Sequence, residues 1–379
     1  MFDYLIIGAG FAGLTIAERI ANKLNKKVLV IEKRKHIGGN CYDCLKEGLR
    51  IQLYGPHIFH TKDKNVWNYL SNFTDWLHYQ HEVKSFIDNK FVPVPFNLNS
   101  LEMLFPEDEV KKLIDKLIKI VGFDKKISIF ELLQIEDKDL KFLANYVYKK
   151  VFYYYTYKQW GIKLENLSEE VLKRVPVNVS YDDRYFPSDA YQGIPKDGFE
   201  KLFENMVKSK NIKILLGTDF KEVLSIDKKR KKFYFLGQEF KGKIIYTAKL
   251  DELFDYEFGR LPYRTLDIKF KSYEEEYHQP NSVVNYPFDY DFMRVTEYKY
   301  FYFQTSSHTI LSYEYPRNAS EKDIPYYNIL TDESIALSEK YKDIASEYKD
   351  LILIGRLAEF KYYNMDSVVK RALEIFELL

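Results

Sequence analysis

Six residues, Gly8-Ala9-Gly10-Phe11-Ala12-Gly13, carry the spacing of a dinucleotide site. Glycines at these positions allow a tight turn, a close approach of backbone N–H groups to a pyrophosphate, and close packing of helix on strand. Glu32 stands where a carboxylate can accept hydrogen bonds from an adenosine ribose. NAD and FAD satisfy this pattern equally. The next segment, Lys33-Arg34-Lys35-His36-Ile37-Gly38-Gly39-Asn40, brings a second glycine pair and a cation to the same ligand. That combination favours FAD lying extended across the domain, with Arg34 near its phosphates. A third contact is expected far along the chain, where Gly355-Arg356 follows a strand and Asn364-Met365-Asp366 opens the last helix. The positive end of that helix would stabilise negative charge on a reduced flavin.

Other reactive side chains point to less. Cys41 and Cys44 form a CxxC, but no second pair or His pair stands at zinc-ligand spacing, so no metal site is expected and the thiols read as incidental. Lys228 to Lys232 read as a basic turn between strands. With 57 basic and 56 acidic residues the net charge is +1, which offers no field for nucleic acid. The first apolar run is broken by glycines and Met1-Phe2-Asp3-Tyr4 has no basic leader pattern, so no membrane insertion and a cytoplasmic location are expected.

The elements that must position these groups are legible in part. Residues 3–7, the stripe Leu14, Ala17, Ile20, Ala21, Leu24 and the run Val28-Leu29-Val30-Ile31 make a βαβ unit. Val83 to Val94 reads as a hairpin around Asp88-Asn89. Helices are expected from Glu107, from the capping box Ser128/Glu131, and over Leu140 to Trp160. The segments 265–270, Tyr300-Phe301-Tyr302-Phe303 and 309–313 predict an antiparallel sheet. The fold class is therefore mixed α/β. A Rossmann-type FAD domain would be assembled discontinuously from 1–82, 193–248 and 345–379. A helical-bundle insertion would occupy 98–170, and an antiparallel-sheet domain 83–97, 171–192 and 249–344.

Farther along, Tyr54-Gly55-Pro56-His57-Ile58-Phe59-His60-Thr61, Lys158-Gln159-Trp160-Gly161, Lys173-Arg174-Val175-Pro176-Val177, Tyr181-Asp182-Asp183-Arg184-Tyr185-Phe186, Gln192-Gly193-Ile194-Pro195 and Gly259-Arg260-Leu261-Pro262-Tyr263-Arg264-Thr265 follow in order. Together with both ends of the chain they resemble the UDP-galactopyranose mutase family. The resemblance implies an isomerase that interconverts UDP-galactopyranose and UDP-galactofuranose for cell-surface glycans. It also implies reduced FAD, an adduct of flavin N5 with the sugar, a homodimer and a cellular reductant.

Carried over residue by residue, the resemblance makes Arg174 on a mobile lid and Arg294 the cations for the departing pyrophosphate. Trp160, Phe152 and Tyr155 would receive uracil, and Tyr185, Tyr315 and Tyr362 would contact phosphate, with Asn285 near the sugar. His60 is implied to be catalytic, and Gly10, Phe11, Gly13, Glu32, Lys33, Arg34, Gly39, Asn40, His57, Ile58, His60, Arg356 and Met365 are implied to hold FAD. Asn364 and Ala358 depart from the common Asp and Gly of the family. His60, where a relative acting on the N-acetylated sugar carries Arg, favours galactose over N-acetylgalactosamine. An amine-oxidase-like FAD oxidoreductase shares the amino-terminal pattern but would not need Arg174, Trp160 and Arg294 together.

Overall fold

The computed structural model describes residues 2–163 and 176–379. Strand β1 (Tyr4–Ile7) and strand β2 (Val28–Glu32) are buried along their whole length, and helix α1 (Phe11–Lys23) crosses between them. They centre a five-stranded parallel sheet in the order Ile212–Leu216, β2, β1, Lys243–Tyr246, Leu351–Leu353. Apolar helix faces cover both sides. Helix α1, Gly198–Met206 and the final helix Met365–Phe376 pack on one face, while Tyr341 and Ala345 of the helix Asp332–Ser346 fill the other. That last helix therefore packs on the nucleotide sheet.

A second sheet has seven strands, ordered Tyr327–Asn328, Tyr263–Tyr273, Thr309–Asn318, Arg294–Glu297, Val283–Asn285, Val83–Ile87, Lys90–Val94. Its pairs are antiparallel except for Val283–Asn285 beside Val83–Ile87, which run parallel. The hairpin turns on Asp88 and Asn89, both with left-handed backbone (φ 47° and 61°), as the favoured two-residue turn requires. Tyr300 to Phe303 do not extend this sheet, contrary to the strand expected from their aromatic content. Lys299–Tyr302 form a single helical turn, because the buried Lys299 ammonium draws in the carbonyls of Glu276 and Ser306 at 2.6 and 2.7 Å. Long-range hydrogen bonds outweigh the local preference here.

Helices Leu98–Leu104, Glu107–Ile120, Ile129–Leu133 and Lys138–Val147 pack one buried stripe each against this sheet. The Ser128/Glu131 capping box is formed. The helix expected over Leu140 to Trp160 is interrupted by a π-turn at Tyr148–Tyr153 before it resumes as Tyr154–Trp160. Such a turn rotates everything after it.

Candidate active site

At the carboxyl edge of the parallel sheet the backbone is bare. A Cβ on Gly13 would lie 2.0 Å from the Gly8 carbonyl oxygen, and one on Gly8 2.2 Å from Thr247 Oγ1. Gly39 approaches Gly10 across the gap, so the two glycine turns form the walls of one trough. Helix α1 begins there with no side-chain cap and no acidic residue in its first turn, which leaves its first N–H groups for an anion. Glu32 accepts hydrogen bonds from the Ala9 and Arg34 amides at 2.8 and 2.9 Å and so fastens the two turns together.

Arg34 is clamped over the Tyr54 ring, 4.4 Å from its centroid, and its Nη2 donates to Asn40 at 2.7 Å. Its Nη1 is buried without a partner. An unmet charged donor is costly, and a phosphate oxygen in the trough would satisfy it. Gly10, Phe11, Glu32, Lys33, Arg34, Gly39, Asn40, His57, Arg356 and Met365 all line this trough. Gly13 acts behind it through packing. Cys41 is buried on the same wall with Sγ 3.5 Å from Met365 Sδ, and burial pushes its thiol up to about 12. Among the described residues no His, Cys, Asp or Glu cluster could hold a metal.

The trough opens into a second cavity, and His57, Arg356, Asn364 and Met365 line both. At this junction the final helix presents its amino end, with Asn364 making no side-chain cap. Asp366, one residue inside, accepts from Thr61 at 3.0 Å. Arg356 is fixed by carbonyls of Tyr326 and Tyr363 and lies under the Tyr362 ring. Burial, then the nearby Arg356 and Arg294, lower His57 to about 4, while its Nδ1 faces the Gly55 carbonyl at 2.9 Å. His57 is thus a neutral imidazole at the junction.

Arg294 projects from the middle of the seven-stranded sheet, where its strand neighbours are Asn285 and Glu314. Its guanidinium donates to the Tyr155 hydroxyl, to Asn285 Oδ1 at 3.4 Å, and faces Glu314 at 3.5 Å. Burial opposes its charge, but Tyr155 and Glu314 hold its pKa above the ordinary value. Glu314 is fully buried; burial raises its pKa and Arg294 lowers it. A permanent cation thus faces the cavity.

Phe152, Tyr155 and Trp160 also line this cavity, carried there by the π-turn and the helix after it. Trp160 is buried and lies 5.7 Å from Tyr327 and 6.5 Å from Tyr362 between ring centroids. The end of its helix is held from outside. Arg264 donates to the Lys158 and Gln159 carbonyls at 2.8 and 2.9 Å, filling the space a side chain at Gly161 would need. Lys158 in turn donates to the carbonyls of Tyr286 and Tyr290 at 3.0 and 2.5 Å.

Tyr185, Asn285 and Tyr362 also line the second cavity, as do Ile58 and His60. Tyr315 does not: it lies against Lys269 and Phe292 and lines neither cavity, while Tyr327 occupies the wall instead. Arg174 lies outside the described residues. Sequence reasoning missed Tyr327, Lys249, Tyr326 and His81. His81 had a faint signal as a polar residue beside an alternating strand, Val83–Ile87; it is 5% exposed, its Nδ1 has no partner, and burial lowers its pKa to about 3.

Comparison with known proteins matches this layout. The sequence profile of the UDP-galactopyranose mutase family fits residues 150–362, and that of an NAD(P)-binding Rossmann-like domain fits residues 6–73. The chain is 37% identical to the dTDP-fucopyranose mutase of Escherichia coli, covering 100% of this chain and 98% of that protein. It is 33% identical to the UDP-galactopyranose mutase of Mycoplasma pneumoniae, covering 100% and 96%. A crystal structure of reduced UDP-galactopyranose mutase superimposes with a TM-score of 0.74 at 17% identity, over 100% of this chain and 93% of that one. A putrescine oxidase shares the fold more loosely, with a TM-score of 0.58 at 12% identity over 99% and 98%.

Proposed function

The chain belongs to the UDP-galactopyranose mutase family and is an isomerase of that family, and from this premise we propose that it interconverts UDP-galactopyranose and UDP-galactofuranose with reduced FAD in the glycine-lined trough. The observation that carries the reading is the junction: a dinucleotide trough and a cation-bearing aromatic cavity share His57, Arg356, Asn364 and Met365. When bound, reduced FAD supplies the nucleophile for the anomeric carbon there. Everything else falls to the chain. Arg294 balances charge on the departing pyrophosphate, a task the family resemblance also gives to Arg174, and its fork holds that group in one orientation. Phe152, Tyr155 and Trp160 supply an aromatic wall for the base, and Tyr185 and Tyr362 add hydroxyls without adding charge.

The reaction begins and ends at the same oxidation level, so a cellular reductant is needed only to prepare the flavin. We place the protein in the cytoplasm as a homodimer that feeds a galactofuranose-containing polysaccharide. One observation favours a second substrate: the 37% identity to a dTDP-fucopyranose mutase. That nucleotide sugar undergoes the same ring contraction but lacks the 6-hydroxyl and carries thymine.

One anaerobic assay separates these readings. The purified protein, with and without dithionite, is given UDP-galactopyranose or dTDP-fucopyranose, and the furanose products are resolved by chromatography. Conversion of the UDP sugar only after reduction is the expected result. A strong preference for the dTDP sugar would transfer the assignment to it, and equal rates with oxidised flavin would overturn the role given to reduced FAD.

A further inference from the structure

His57 and His278, like His60, are bonded through Nδ1 alone, but among the described residues His60 is the one of these three that joins a carboxylate partner to a place on the wall of the second cavity. His36 engages Ile37 and Tyr54, and His308 engages Ser306 and Glu47, so each uses both ring nitrogens within the protein. His60 uses one. Its Nδ1 lies 2.6 Å from Asp189 Oδ2, and its Nε2 has no hydrogen-bond partner among the described residues although the ring lines the second cavity. The ring is held on its face as well, because Phe186 stacks on it with centroids 3.5 Å apart and planes 10° from parallel. Both holding groups come from one turn. The Asp189 amide bonds to the Phe186 carbonyl, and Gln192, which pairs with His60 across the strands, donates to the Phe186 and Asp189 carbonyls at 2.8 and 3.2 Å.

A carboxylate can only accept, so Nδ1 must carry a proton whether the imidazole is neutral or charged. Proton exchange is thereby confined to Nε2. We propose that Asp189 is a positioning residue that fixes this tautomer of His60, and that Nε2 relays the proton which ring contraction must move. The inference rests on the reaction assigned above. Pyranose-to-furanose conversion breaks the bond from C1 to O5 and forms one from C1 to O4. The proton on the O4 hydroxyl must end on O5. Nε2, unprotonated in this tautomer, takes the proton from the O4 hydroxyl and delivers it to O5 as the bond from C1 to O5 breaks and that from C1 to O4 forms, so the imidazole ends as it began and no external acid or base is consumed. The groups facing this pair are few. Among the described residues Lys62 stands 4.0 Å from Asp189 Oδ1, Ser188 contacts the same oxygen, and His81 lies 6.1 Å from Phe186 between ring centroids.

The test compares wild type, Asp189→Asn, Asp189→Ala and Asp189→Glu at equal flavin occupancy. An Asn side chain can turn its amide to donate to Nδ1 and so drive the proton to Nε2. Asp189→Asn should lower kcat by about 100-fold, within the range of a lost acid–base group, with KM nearly unchanged, and Asp189→Glu should recover part of the loss. Nitrogen-15 NMR of histidine-labelled protein supplies a readout independent of turnover. His60 should show a protonated Nδ1 in the wild type and shift toward a protonated Nε2 in Asp189→Ala. Wild-type kcat in both Asn and Ala variants, or a neutral His60 protonated at Nε2 in the wild type, would overturn the proposal. Failure of the wild type itself on both nucleotide sugars would instead sink the assigned reaction, and the relay with it, while leaving the tautomer readable.

Discussion

Arg294 shows how much the site depends on single side chains. A guanidinium in the middle of a sheet is costly unless its donors are met, and here Tyr155, Asn285 and Glu314 meet them from three different elements. Those partners also aim the fork at the cavity. Arg294→Ala should therefore lower kcat/KM by about 100- to 1000-fold, the usual cost of removing a donor that stabilises developing charge, while the flavin absorbance is retained. Steady-state kinetics and a spectrum of the same sample check both halves. His81 makes a different prediction because it stays neutral. Burial, reinforced by Arg294 and His60, lowers its pKa to about 3, against an ordinary 6.5 in the unfolded chain. Below that unfolded value the denatured state binds a proton that the native state refuses, so stability is lost as pH falls. The slope is about 1.4 kcal/mol per pH unit, or about 2 kcal/mol by pH 5. Exchanging the imidazole for an aromatic ring of similar size, His81→Phe, should flatten that limb by the same amount in urea denaturation at pH 7.5 and pH 5.

At the scale of elements, the glycine turns make the trough and α1 supplies its positive end, and the two depend on a contact with no room to spare. Gly13→Ala would place a methyl group 2.0 Å from the Gly8 carbonyl oxygen, which only separation of helix from strand could relieve. The expected cost is about 2–3 kcal/mol, as for other overpacked sites, together with loss of bound flavin, read by thermal melting and by absorbance after gel filtration. This βαβ unit was legible in the sequence because its parts are consecutive and each has its own periodicity. So were the Asp88-Asn89 hairpin and the Ser128/Glu131 cap, where two or four neighbouring residues decide the geometry. The π-turn at Tyr148–Tyr153 was not, since tyrosine, lysine and valine there suit an ordinary helix equally well. Tyr300 to Phe303 misled because their strand preference is overridden by carbonyls reached from Lys299. Tyr327 and His81 reach the cavity through contacts distant in sequence, which no local pattern records. Tyr315, named through resemblance, lies away from the cavity wall that Tyr327 lines.

At the scale of the whole molecule, two sheets with separate cores must hold one junction in register. Asp43 is one of the ties. It is fully buried, and its carboxylate accepts from the Phe199 and Glu200 amides at 2.7 and 3.0 Å, thereby capping the helix Gly198–Met206 that covers the parallel sheet. The same carboxylate faces Arg50 at 3.2 Å and accepts from the Tyr302 hydroxyl at 2.9 Å, on the short turn beside the seven-stranded sheet. Burial raises the Asp43 pKa, and these four donors oppose the shift. Removing the carboxylate would strand the buried Phe199 amide and Tyr302 hydroxyl, and would leave the part-buried Glu200 amide and Arg50 guanidinium without this partner. Asp43→Ala should thus cost about 3–5 kcal/mol, the range for breaking a buried charged network from one side. Because the network joins the two halves, the loss should appear as a single lowered unfolding transition followed alike by tryptophan fluorescence and by flavin release. Two separated transitions, or an unchanged midpoint, would show that Asp43 serves only its own helix and that the junction is held by other contacts.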